Sequence, residues 1–205
     1  MKATVYRLIV LAVFLTCGLC PAMAEENKKF KVLVVFSYDD AYSWVADIRE
    51  GIESVLKETA DIRYAYLDTK RNFDQGAEKA KEAYAMYQEF KPDGVIAADD
   101  DAQTMFVVPY LKDKVKTPVM FNGVNAEPEK YGYPASNVSG VLERYHISQS
   151  IALAQQIVPS VKTVAFISKE GPLAQALSEQ VKKESDTYSA KICRFQNTQN
   201  RKRSG

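Results

Sequence analysis

Two acidic clusters and a pair of asparagines carry most of the chemical potential of this 205-residue chain. Asp99-Asp100-Asp101 follows the apolar run Gly94-Val95-Ile96-Ala97-Ala98, and Asp39-Asp40 follows Phe30-Lys-Val-Leu-Val-Val-Phe36. Asn122 and Asn125 flank Gly123-Val124, directly after Pro118-Val119-Met120-Phe121. Carboxylates in such places receive a ligand ammonium group, and a triple Asp also raises Mg²⁺ or a phosphoacceptor, because hard cations take several oxygen ligands. Asparagine brings donors and acceptors together, which suits a small polar ligand. Covalent catalysis has less to work with. The single histidine, His146, would have to serve any Ser-His-Asp relay, and no Gly-x-Ser-x-Gly elbow occurs. A single histidine also excludes a multi-histidine metal site. The chemistry expected is non-covalent binding, with no cofactor.

Each candidate has a structural reading beside the functional one. Ser37, Tyr38 and Asp39 precede a helix, where free N–H groups and the dipole attract a ligand carboxylate. Ser37 or Asp39 equally suits a plain helix cap. Tyr42 and Trp44 offer an apolar wall for a ligand. Trp44 also falls in register with Ile48 and Val55, which favours core packing for it and leaves Tyr42 as the better ligand candidate. Asp99 and Asp100 bind a ligand or cap a helix. Asn122, Gly123 and Asn125 form a site or a turn, since Asn and Gly tolerate positive φ. Glu143 faces a cleft, joins a salt bridge between lobes or stands in solvent; His146 reads as a surface or capping residue. The Lys/Glu-rich stretches at 78–82 and 181–185 read as solvated helix faces.

These residues sit at the ends of elements that the hydrophobic pattern lays out. Strands are expected at 30–36, 62–67, 94–98, 117–121 and 138–142, with Asn122 to Asn125 as a polar loop. Helices are expected at 41–58, with Trp44, Ile48, Ile52, Val55 and Leu56 on one face, at 73–90 with Asn72 as cap, and at 102–111 with a kink at Pro109. The alternation predicts a parallel sheet with helices on both faces. In such sheets ligands bind outside the carboxyl ends of the strands, where the candidates lie. From Ile147 the pattern restarts: helix 147–157, strand 163–167, helix 173–184 and strand 190–193. From Arg194 to Gly205 periodicity ends, so 194–205 is expected to be a disordered tail, and truncation or a frameshift in the second lobe is expected, with a natural one-and-a-half-lobe domain as the alternative.

Residues 1–24 combine Lys2 and Arg7, an apolar run from Leu8 to Leu19 and Ala22-Met23-Ala24, the pattern of a cleaved signal peptide. The apolar run is shorter than the ~20 residues of a membrane span. Cleavage removes those two bases and no acid, leaving 25 basic against 26 acidic residues, formally −1. No positive excess exists to drive nucleic-acid binding. Cys193 remains as one cysteine, so no internal disulfide is expected and the core alone must hold the chain.

Three segments resemble ABC-transporter substrate-binding proteins of the type I periplasmic-binding-protein fold, whose characterised members take up small ligands such as aromatic amino acids. The first is Phe36-Ser37-Tyr38 with Tyr42-Ser43-Trp44 and Gly51-Ile52, which resembles the sensor-type version of the first βα turn. The second is Asp93-Gly94-Val95-Ile96-Ala97-Ala98-Asp99-Asp100. The third is Pro118 to Asn125 with Asn137-Val138-Ser139-Gly140-Val141 and Glu143. The resemblance implies an α/β fold with a complete N-terminal lobe at 25–143 and a partial second lobe at 144–193. It implies a ligand-binding set of Ser37, Tyr38, Tyr42, Trp44, Asp99, Asp100, Asn122, Gly123, Asn125 and Glu143, and a hinge near 122–126 and 142–146. It also implies a periplasmic location, a small-molecule ligand, and as partner an ABC transporter permease or a membrane signalling protein. A ligand sensor on the same fold is the alternative. An exported hydrolase lacks a nucleophile motif, a racemase lacks a cysteine in the first lobe, and a receiver domain lacks the later lysine and is cytoplasmic.

Overall fold

The structure, a computed structural model, describes residues 29–169 and 172–198. The signal-peptide reading of residues 1–24 and the tail beyond Thr198 therefore lie outside the described residues.

Five strands form one parallel sheet: β1 (Phe30–Phe36), β2 (Ala60–Tyr66), β3 (Gly94–Ala98), β4 (Val119–Val124) and β5 (Val138–Leu142). Their order is β2-β1-β3-β4-β5, with every pairing parallel. β1 shows why this sheet is covered on both faces. Leu33, Val34, Val35 and Phe36 are all fully buried, the unbroken apolar run of a doubly covered parallel strand. Alternate residues point to opposite faces. Leu33 and Val35 join a core with Ala80, Ala83, Phe90 and Phe106, whereas Val34 and Phe36 join Val45 on the other side.

The helices supply those two layers. α1 (Ser43–Leu56) covers the Val34 face. α2 (Gly76–Phe90) and α3, a short α-turn Asp100–Ala102 continuing as a π-helix Gln103–Leu111, cover the Leu33 face. The kink expected at Pro109 takes the form of this wide π turn, which accommodates a residue without an N–H to donate.

Four local expectations need correction. Val55 is 73% exposed and Val45 is fully buried, because the inward face of α1 centres on Val45 and Ile52 and leaves Val55 at its margin. Asn72 makes no side-chain cap; its Nδ2 donates to Asp68 at 2.7 Å, and a turn (Thr69–Asn72) and a 3₁₀ turn (Phe73–Gln75) precede α2. β4 does not end at Phe121. Asn122, Gly123 and Val124 stay in the strand, and the extra length is absorbed as a register shift against β5 between Phe121 and Val124. The final strand also runs further than its apolar pattern, into the segment read as a tail.

That final strand belongs to a second, two-stranded parallel sheet. α4 (Ile147–Ile157), β6 (Thr163–Lys169), α5 (Pro172–Glu184) and β7 (Lys191–Thr198) share a small core of Ile147, Ile151, Val181 and Ala190. Cys193, on β7, is exposed, and its thiol donates to the Val164 carbonyl at 3.3 Å. The crossover from β5 into this unit is tied in place. The Arg144 guanidinium donates to the carbonyls of Asn125 at 3.0 Å and Glu143 at 2.8 Å, and pairs with Glu127 at 3.2 Å. Lys183 of α5 reaches the same Glu127 at 3.3 Å. Gln180 accepts from the Tyr145 N–H and donates to its carbonyl, at 3.1 and 2.8 Å. Among the described residues no helix is long and apolar enough to cross a membrane.

Candidate ligand-binding site

The strand order reverses between β1 and β3: from β1 the chain passes to β2 on one side, while β3 leads to β4 on the other. The loops leaving these neighbours diverge and open a crevice at their carboxyl ends. Ser37 lies at the root of that crevice, fully buried. Its hydroxyl donates to the Ala98 carbonyl at 2.8 Å and accepts from the Ala102 N–H at 2.8 Å. Both hydroxyl functions are engaged, so Ser37 fastens β1 to β3 and α3 and does not line the cavity. Asp39 likewise accepts from the Ala41 N–H at 3.1 Å and pairs with Arg71 at 3.4 Å.

Asp99 holds the most unusual backbone of the site. Its φ is 74° and ψ 170°, a region that ordinarily belongs to glycine. The conformation lets its N–H donate to the Asn122 carbonyl at 2.9 Å, while its carboxylate accepts from the Asp100 N–H at 2.5 Å. Burial pushes the Asp99 carboxyl up to about 7; the Tyr38 hydroxyl and the Asp100 N–H pull it down, and Asp100 and Asp101 push it further up. Burial, then the neighbouring Asp99 carboxylate, raises the Tyr38 hydroxyl.

Asp100 has a different task. Its carboxyl oxygens accept from the N–H groups of Asn125 at 3.0 Å and Ala126 at 3.2 Å, and from the Tyr131 hydroxyl. It ties the excursion after β4 to the start of α3 and does not line the cavity. Asp101 is pushed up chiefly by its burial. Among the described residues no group of three or more His, Cys, Asp or Glu is placed to hold a metal ion.

Gly123 and Trp44 form one device. Gly123 has φ +65°, and a Cβ there would meet the Trp44 ring carbon Cζ2 at 2.6 Å. The indole therefore rests on the β4 bulge, and Gly123 positions a wall without forming one. Trp44 also packs edge-on against Tyr38, with centroids 6.0 Å apart, and Tyr38 meets Tyr42 at 84° and 5.4 Å. Asn122 gives its carbonyl to Asp99, and its Oδ1 is buried without a hydrogen-bond partner.

A cavity of about 150 Å³ opens among these walls. Of the residues expected from the sequence, Tyr38, Tyr42, Trp44, Asp99, Asn125 and Glu143 line it; Ser37, Asp100, Asn122 and Gly123 do not. Asn125 is buried, with its Nδ2 3.5 Å from the Glu143 carbonyl. Glu143 faces the cavity, and the pairing between the two units falls to Glu127. His146 is exposed at the start of α4, makes no cap with its side chain, and borders a separate apolar groove with Phe166 and Leu177.

Three lining residues escaped the sequence reading: Lys70, Tyr145 and Leu173. Lys70 was accessible to the strand-end rule, because it follows β2 by a few residues. Its ammonium lies 4.2 Å from the Tyr38 ring centroid and 3.7 Å from that of Tyr42. Tyr145 and Leu173 come from the crossover and the second unit, so only the tertiary arrangement brings them here. Burial, then Glu143, raises the Tyr145 hydroxyl.

A doubly wound sheet, an abutting second α/β unit and a cavity at their junction define the type I periplasmic-binding-protein fold. Solved structures share it. An ABC domain in complex with L-Trp from Streptococcus pneumonia aligns at TM-score 0.59 and 18% identity, over 82% of this chain and 57% of that one. A substrate-binding protein with adhesive properties from Clostridium difficile aligns at 0.60 and 14%, over 82% and 58%. A leucine-binding protein from Thermotoga maritima aligns at 0.57 and 17%, over 82% and 49%. The chain thus spans about half to three-fifths of the length of these proteins. No family model matches the sequence, and no curated protein matches it.

Proposed function

We propose that this chain is an extracytoplasmic solute-binding protein of an ABC transporter, holding a small ligand such as an amino acid between two lobes. The carrying observation is the cavity itself: it lies at the strand-order reversal, and the second unit contributes Tyr145 and Leu173 to its rim. In this reading residues 1–24 direct export, 25–143 form the first lobe and 144–193 belong to the second. The segments near 122–126 and 142–146 act as the hinge, and closure about it signals occupancy to a permease. The reading is non-enzymatic. The lining residues hold carboxylates, aromatic rings and a lysine; two of the structures that share the fold are described as binding proteins, and a third is in complex with L-Trp. The resemblance of Ser37-Tyr38 and Tyr42-Ser43-Trp44 to the sensor-type turn keeps ligand sensing by a membrane signalling partner as the second reading.

Calorimetric titration of the purified chain with a panel of amino acids and aromatic acids tests the proposal. Saturable heat from one of them, lost in Tyr42→Ala with the fold intact by circular dichroism, is the expected result. Silence across the panel, or binding indifferent to Tyr42→Ala and Trp44→Ala alike, would overturn the site.

A further inference from the structure

The walls of the cavity combine aromatic faces with charged groups. Tyr38 and Tyr42 stand at 84° to each other, so their two ring faces form a corner. Trp44 closes on Tyr38 at 62°. Aromatic faces carry negative potential and attract cations within about 6 Å of the ring centroid. The corner already holds one: the Lys70 ammonium, within that distance of both rings. Asp99 and Glu143 add two carboxyl groups to the same lining, against the one cation of Lys70. That cation is not free for an anion, because it faces two π clouds and donates to the Tyr42 hydroxyl. Size agrees. At about 150 Å³ the cavity falls below the ~300 Å³ where ordinary ligand pockets begin, so it fits a head group.

We propose that the Tyr38–Tyr42–Trp44 corner beside Asp99 seats an organic ammonium head, in the place the Lys70 ammonium occupies in this structure. The inference rests on the solute-binding reading and adds the ligand class. Lys70 is exposed. It can swing to solvent when a ligand cation takes its seat. Lys70 is then an internal competitor, and the Asp99 carboxyl, ionised by the ligand cation that arrives beside it, supplies the charge that a desolvated ammonium requires. Asp99 keeps its costly backbone conformation at this spot, as backbone strain at binding clamps commonly does.

Trp44, the chain's single tryptophan, reports directly on the corner. The test titrates the purified chain with tetramethylammonium chloride and with sodium benzoate, each at matched ionic strength, and follows Trp44 fluorescence. A saturable response to tetramethylammonium is expected. Lys70→Met should tighten it several-fold by vacating the seat, and Asp99→Asn should weaken it about tenfold. A response to benzoate alone, abolished by Lys70→Met, would make Lys70 an anion holder and overturn the ammonium inference while leaving solute binding intact. Silence to tetramethylammonium, with a member of the calorimetric panel still binding, would overturn the ammonium inference and leave solute binding standing. The exposed Lys70→Met variant and the unsubstituted chain keep the test decisive if Asp99→Asn does not fold.

Discussion

Asp99 concentrates the physics of the site in one residue. It is 5% exposed, sits at φ 74°, and lies among Tyr38, Asp100, Asp101, Tyr131 and Tyr145. Two predictions separate its charge from its backbone. A non-glycine residue held in this region costs on the order of 1–3 kcal/mol. Asp99→Gly and Asp99→Ala both remove the carboxyl, but only the first relieves that cost. The glycine variant should therefore be the more stable by about that amount in urea denaturation, and equal stability would refute the strain. The charge obeys a different rule. The folded chain holds the Asp99 proton up to about 7, whereas an unfolded aspartate releases it near 4. Unfolding thus releases a proton between those values, and stability falls as pH rises through that window. The unfolding free energy of the parent should drop against that of Asp99→Asn from pH 4 to pH 7, by at most about 4 kcal/mol. A flat difference would mean the carboxyl is already ionised throughout.

At the scale of elements, α1 offers the sharpest test. Val45 is fully buried and Val55 is 73% exposed, although the apolar spacing placed Val55 on the packing face. Val45→Ala should cost about 1–3 kcal/mol through the cavity it leaves, and Val55→Ala less than about 0.5 kcal/mol. Equal costs in chemical denaturation would contradict this orientation. The same helix shows what was legible in the sequence. The order of strands and helices in the first unit follows from apolar runs and punctuation, and so does the placing of Tyr38, Asp99 and Glu143 at strand ends. What local pattern could not supply are features set by partners. The β4 bulge exists because Gly123 must pass under Trp44, and the capacity of Asn122 to stay in a strand depends on Asp99 across the ladder. Ser37 and Asp100 have the right chemistry for binding and the right place in the sequence. Their engagement with Ala98, Ala102, Asn125 and Ala126 becomes visible only once the neighbouring elements are in position. β7 outlasts its apolar pattern because pairing with β6 carries it to Thr198.

For the molecule as a whole, the joint between the two sheets is polar and partly solvated. Glu127 bridges Arg144 and Lys183 with side chains 32–72% exposed, a setting in which ion pairs contribute little. Glu127→Ala should change the unfolding free energy by less than about 1 kcal/mol, and a larger loss would assign the joint a structural role beyond its exposed charges. A weak joint suits the cleft closure proposed above, since two states of similar free energy need no large difference in contacts. Trp44 rests on β4 in the first unit, and Cys193 stands exposed on β7 in the second. With residues 1–24 removed, each is the sole residue of its type. A thiol-reactive dye on Cys193 would therefore make the protein its own optical ruler, with energy transfer from the indole measuring the span between lobes.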